Sequence, residues 1–431
     1  MRPAALVATV AMTLAASTAQ ARPDDPRPRT PIEHFVVLMQ ENHSFDNYFG
    51  TYPGADGVPR GTCMPAGSSC VRPFHLSGRA VPDLRHDERV RRVQYAGGRM
   101  DGFVRGAALG RQAIEPSVMG HYDRRDLSFY WNVADDYVLF DRFFTSAADG
   151  GAANRVAWVA GRPGKAGEDV ATIFDRLEAR GVSWKFYVED YDAQRKFTTE
   201  RGVDTSAQAL RVPLLNIPRY VHGRRLFGHI ADLDEYYEDL AHGSLPAVAY
   251  IAPAGASEHP PGSVQAGEKL VRSLITALMR SPDWESSAFM WTYDEWGGWY
   301  DHVRPPAGRG FRVPALLVSP YARRGEVDGT TLETTSIPKF IEDNWRLRPV
   351  AAGDARANGF GRAFDFARPP RRPRLISATA RPGTAREPSR PVIYAAYGAA
   401  IVLAAAFVGW AALGGRFPRR RPLRPGSWEL P

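Results

Sequence analysis

Apolar residues along the chain fall into short solid runs rather than alternating ones. His34-Phe35-Val36-Val37-Leu38-Met39, Ala247-Val248-Ala249-Tyr250-Ile251, Ser287-Ala288-Phe289-Met290-Trp291-Thr292-Tyr293 and Val313-Pro314-Ala315-Leu316-Leu317-Val318 each read as a strand buried on both faces. Between them, 172–180, 267–279 and 336–345 carry apolar residues at helical spacing. Buried strands alternating with helices predict an α/β sandwich around a largely parallel sheet, occupying residues 31–350.

Outside that body the pattern changes. Residues 4–16 are uncharged and rich in Ala, Leu and Val, follow Arg2, and precede the small-x-small triplet Ala19-Gln20-Ala21, so 1–21 reads as an export signal. Residues 351–390 are dominated by Ala, Arg, Pro and Gly and read as a disordered stalk. Residues 392–413 hold no charge, and at about 1.5 Å per residue they reach about 33 Å, the length of a transmembrane helix. Arginines crowd residues 414–431, which places that tail in the cytoplasm and the body outside, on a single-pass cell-membrane protein.

The net charge of +8 raises the question of a nucleic-acid partner. Residues 368–431 carry twelve arginines against two acids, so the basic surplus belongs to the stalk and tail and the body is slightly acidic. No nucleic-acid partner is expected. Cys63 and Cys70, the only cysteines, stand either as one small disulfide loop or as free thiols, and cannot alone form a thiolate zinc site.

Two polar clusters follow directly on apparent strands: Gln40-Glu41-Asn42-His43-Ser44-Phe45-Asp46 and Thr292-Tyr293-Asp294-Glu295-Trp296-Gly297-Gly298. The carboxyl ends of parallel strands are where α/β sheets bind ligands. Adjacent carboxylates repel, and a divalent cation with hard oxygen ligands removes the repulsion. The two clusters, far apart in sequence, are therefore expected to share one cation where the fold unites them. Trp291, Trp296, Trp299 and Tyr300 crowd the second cluster, either as core or as an aromatic cage for a cationic head group.

The chain resembles the bacterial phosphoesterase family of phospholipases C and related acid phosphatases. The resemblance runs in order through Glu41–Gly50, Gly97–Phe103, Asp126–Tyr130, Ser257–Pro261 with Gly267-Glu268, Ser281–Trp284, Asp294-Glu295, Tyr300–Val303, Arg312–Pro314 and Ser319–Tyr321. It implies an alkaline phosphatase-like fold, a metal-assisted attack on phosphorus, and a phosphate-ester substrate such as a phospholipid. It implies that Glu41, Asn42, Asp294 and Glu295 are ligands, that His86 and His259 contact phosphate or move protons, and that His302 is a weaker contact. Asn154-Arg155 matches the pair that follows the family nucleophile, and a guanidinium at 155 suits a phosphate oxygen pair.

One position departs. Aligned on Asn154-Arg155, the nucleophile position is Gly151, which has no side chain to attack phosphorus. Three readings follow: Thr145 or Ser146 attacks instead; a metal-bound hydroxide attacks directly; or the protein binds phosphate or lipid without catalysis. Asp149 is a further candidate ligand. Phosphodiesters and phosphomonoesters both remain open as substrates.

Overall fold

The computed structural model describes residues 27–76, 81–110, 115–148, 150–193, 198–199, 202–203 and 207–381. The chain divides into two compact units, Met1–Arg381 and Pro382–Pro431, and the second lies outside the described residues.

The central sheet has eight strands: β1 (His34–Gln40), β2 (Val138–Phe140), β3 (Trp184–Val188), β4 (Ile230–Asp232), β5 (Val248–Ala252), β6 (Ser287–Tyr293), β7 (Ala315–Val318) and β8 (Glu326–Asp328). Their spatial order is β4-β3-β5-β1-β6-β7-β2-β8. All neighbours run parallel except β7, which is antiparallel to both β6 and β2. β5 and β6 are buried at every position, and β1 at all but His34, because helices and loops cover both faces of the sheet.

The helices follow local signals. Thr172 caps helix Ile173–Arg180 with a reciprocal bond from Asp175. The helix Val264–Arg280 is capped by Ser263 and buries Val264, Gly267, Val271, Leu274, Ile275 and Leu278, the stripe expected of one helical face. Cys63 and Cys70 are joined as a disulfide across a two-stranded hairpin.

Two expectations about the C-terminal part need correction. The transmembrane helix expected as part of the fold is not supported: no helix of the described residues is long and apolar enough to cross a membrane, and 392–413 lies outside them, as do the expected signal 1–21 and tail 414–431. The stalk expected over 351–390 is packed structure as far as residue 381. Helix Ala352–Arg356 follows helix Ser336–Trp345, and Phe360, Phe364 and Ile376 are buried. The segment has few large side chains, but they are spaced to insert: Phe360 stacks on Phe340 with ring centroids 4.7 Å apart. Its arginines and carbonyls are tied down as well, with Arg371 donating to Asp136 O at 3.0 Å and accepting from Trp284 Nε1 at 3.0 Å.

Candidate active site

The order β5-β1-β6 sets three loops side by side at the carboxyl ends of adjacent parallel strands. Gln40 pairs in register with Tyr293, so Glu41 and Asp294 leave the sheet together. Asp294 donates its backbone N–H to Gln40 O at 3.1 Å, and Glu41 donates to Ser257 O at 3.0 Å in the loop after β5. Asn42 donates its backbone N–H to Asp294 Oδ1 at 3.3 Å and turns in the left-handed region with φ 64°. Gly297 is required beside it: a Cβ there would stand 2.3 Å from Asn42 O.

Helix Gly151–Ala160 closes the fourth side. Its first residue, Gly151, donates its N–H to Glu295 Oε1 at 2.8 Å. One turn later the buried Arg155 donates from Nε to Asp294 Oδ2 and from Nη2 to Glu41 Oε1, each at 3.1 Å. Arg211 also donates to Glu41 Oε1. These groups, with Asn42, His86, Ala152, Leu210 and His259, line a cavity of about 250 Å³.

The expected ligands Glu41, Asn42, Asp294 and Glu295 therefore meet in one cavity. Arg155 occupies one oxygen each of Glu41 and Asp294. Glu295 Oε2 and Asn42 Nδ2 are buried without a hydrogen-bond partner among the described residues. Burial raises the Asp294 carboxyl above its ordinary range, opposed by Arg155 and reinforced by Glu41. Burial likewise pushes Glu295 up to about 7, opposed by His86 and reinforced by Asp294. Hard oxygen donors, crowded and partly unsatisfied, fit a divalent cation.

Both cavity histidines have a fixed tautomer. His86 Nδ1 lies 2.5 Å from Leu84 O and His259 Nδ1 lies 2.6 Å from Pro260 O. A carbonyl only accepts, so each Nδ1 carries the proton and each Nε2 is presented to the cavity. His86 Nε2 stands 3.7 Å from Glu295 Oε1, and His259 Nε2 stands 4.0 Å from Glu41 Oε2.

Other expected site residues do not reach the cavity. Thr145 is buried with its hydroxyl donating to Ala147 O at 3.1 Å, and Ser146 is buried with its hydroxyl donating to Glu333 Oε2 at 2.7 Å. Both are spent on holding the segment that leads into helix Gly151–Ala160. Asn154 is fully buried; its amide accepts from Ala147 N at 2.7 Å and donates to Ala147 O at 3.1 Å, which fixes the start of that helix rather than a substrate. His302 belongs to a separate buried network: its Nδ1 bonds Asp46 Oδ2 at 2.7 Å, while Arg312 bonds both Asp46 and Asp301. Burial pushes the His302 imidazole down, but the Asp46 bond outweighs it and the net shift is upward. Among the described residues, Asp46, Asp301 and His302, and likewise His75, Asp123 and Asp126, also have the makings of ligand groups, and Arg312 bonds both carboxylates of the first. The aromatic cage is also absent: Trp291, Trp296, Trp299 and Tyr300 are all buried, and none lines the cavity. Asp149 lies outside the described residues.

Residue-by-residue reading missed two groups. Arg211 arrives from the short helix Ala207–Arg211 with no motif around it. Glu258 sits fully inside, accepting from Tyr48 at 2.6 Å, Tyr130 at 2.5 Å, Tyr293 at 2.8 Å and Gln40 at 3.1 Å. Burial pushes this carboxyl up to about 7 despite the tyrosines, and it anchors the loop that carries His259. The neighbouring Ser-Glu-His sequence marked the loop but not the direction of its glutamate.

The sequence profile of the phosphoesterase family matches residues 32–348. Phospholipase C A of Mycobacterium tuberculosis is 29% identical over 416 aligned residues, covering 79% of this chain and 78% of the relative. A non-hemolytic phospholipase C of Burkholderia pseudomallei is 28% identical, covering 74% of this chain and 55% of the relative. Among solved structures, an alkaline phosphatase superfamily protein from Vibrio parahaemolyticus aligns with a TM-score of 0.36 and 10% identity, covering 74% of this chain and 68% of that one.

Proposed function

The chain belongs to the phosphoesterase family and is a hydrolase of phosphate esters, and from that premise we propose a metal-dependent phosphodiesterase of the phospholipase C kind. The observation that carries this reading is the convergence of Glu41, Asn42, Asp294 and Glu295 on one cavity with a buried guanidinium and two histidines presenting Nε2. Glu41, Asn42, Asp294 and Glu295 would hold the cation, with Arg155 keeping Glu41 and Asp294 in place. When bound, the cation supplies Lewis-acid polarisation of the phosphoryl group and offsets the negative charge of the carboxylates.

The remaining work falls to this chain's own side chains. Arg211, at the cavity wall beside Glu41, offers a guanidinium to a phosphoryl oxygen. His86 and His259, with Nδ1 fixed on backbone carbonyls, accept and deliver protons at Nε2. Next to the cavity lies a small hollow of about 20 Å³ that shares Ala152, Arg155 and Leu210 with it. The likeness to phospholipases C supports a phospholipid over a soluble monoester as the ester cleaved. Export to an oxidising compartment is supported by the Cys63–Cys70 disulfide.

The test uses the full chain supplied in turn with Zn²⁺, Mn²⁺, Ca²⁺ and Mg²⁺, and compares phosphatidylcholine vesicles with a chromogenic phosphodiester and a phosphomonoester. Diester cleavage that needs one of these cations and disappears in Asp294→Ala is the expected result. Faster cleavage of the monoester, or equal activity after exhaustive chelation, would refute the proposal.

A further inference from the structure

The cavity wall holds carboxylates, an asparagine, two arginines, two histidines, glycine, alanine and leucine, but among the described residues no serine, threonine, tyrosine or cysteine. The hydroxyls nearest in sequence, Thr145 and Ser146, are buried and bonded to Ala147 O and Glu333 Oε2. At the first position of helix Gly151–Ala160, where a side chain would project into the cavity, the space is taken. A Cβ on Gly151 would stand 2.6 Å from Asp294 Oδ2 and 2.9 Å from Glu295 Oε1. Neither carboxylate is free to swing away, because Arg155 holds Asp294 and the Gly151 N–H holds Glu295.

Resting on the hydrolase reading above, we infer that this protein cleaves its ester in a single displacement by water, with no phosphoryl group carried on the chain. A water on the Gly151 side of the cavity attacks phosphorus. The new bond is from water oxygen to phosphorus and the broken bond is from phosphorus to the alcohol oxygen. His86 Nε2, beside Glu295, takes the water's proton, and the departing oxygen receives a proton that His259 Nε2 has first taken from solvent. The products are the alcohol and the phosphate monoester, and solvent restores the two histidines. Glycine at 151 is then the residue that makes room for the two carboxylates where a side chain would otherwise attack.

A single displacement inverts the configuration at phosphorus, whereas passage through any covalent phosphoryl–protein intermediate retains it. The experiment is hydrolysis of a chiral phosphorothioate diester in H₂¹⁸O by the full chain with its activating cation, with the product's configuration read by ³¹P NMR. In parallel, a ³²P-labelled diester is rapidly quenched in acid and in alkali to look for labelled protein. Inversion with no labelled protein is expected. Retention, or label on a histidine, carboxylate or hydroxyl side chain, would overturn the inference while leaving the hydrolase reading intact. No turnover with any cation or diester would overturn both.

Discussion

Asn42 and Asp294, 252 positions apart, meet through one hydrogen bond: the Asn42 backbone N–H donates to Asp294 Oδ1 at 3.3 Å. The bond is possible because β1 and β6 are parallel neighbours in register up to Gln40 and Tyr293, so the residues that follow each strand emerge at the same edge. Replacing Asp294 by Asn keeps that acceptor but removes a cavity charge. The expected outcome is a fall in kcat/KM on the order of 10²–10³ with an unchanged circular dichroism spectrum. Activity within twofold of the parent would remove Asp294 from the site.

Arg155 is the cation on which two buried carboxylates depend. Arg155→Leu leaves Glu41 and Asp294 without it, and breaking such a pair from one side costs roughly 3–5 kcal/mol. Urea unfolding should show a loss of that size, partly recovered when the activating divalent cation is added. Equal stability of variant and parent without cation would mean that the pair is not formed in solution.

Ser146 separates structural from catalytic hydroxyls. It donates to Glu333 and accepts from Thr335 N at 3.1 Å, so Ser146→Ala strands a buried N–H and should cost about 1–3 kcal/mol. Steady-state kinetics should leave kcat/KM within about threefold of the parent, since each 1.36 kcal/mol of barrier is tenfold and none is lost here. A loss of several orders of magnitude in rate would return Ser146 to the role of nucleophile.

Gly151→Ala places a methyl group against Asp294 and Glu295. A fall in kcat on the order of 10²-fold is expected, larger than any change in KM, because the two carboxylates displaced shape the side of the cavity from which water attacks. A variant with parental kcat would show that the carboxylates yield without consequence.

Glu342 and Asp354 form a buried carboxyl pair that ties helix Ala352–Arg356 to the body. Burial first, and then Asp354, raise the Glu342 carboxyl to about 9. The folded state therefore holds a proton that the unfolded chain releases near pH 4.5. Stability from this group is full below that pH, declines as pH rises toward 9, and is constant above it. Glu258, Glu268, Glu295 and Asp301, raised to about 7, give the same sign over the lower part of the range, and Glu342 is the carboxyl whose contribution extends from 7 to 9. In Glu342→Gln the midpoint of thermal unfolding should lose its slope between pH 7 and 9. A slope equal to the parent's would show that no proton is shared there.

What sequence alone determined were the elements whose cause is local. The solid apolar runs became β1, β5, β6 and β7, and the capped, periodic stretches became helices. The two acidic clusters were legible because they follow directly on such strands. Sequence could not decide what distant chain segments bring to that edge. Only the tertiary structure turned Thr145, Ser146 and Asn154 inward, because their bonds go to Glu333 and to the turn at Ala147. It alone drew Phe360 and Phe364 of an arginine-rich, proline-rich segment into the core, and set Arg155 and Arg211 against Glu41. A side chain's chemical type is written in the sequence, but its direction is fixed by packing against residues hundreds of positions away.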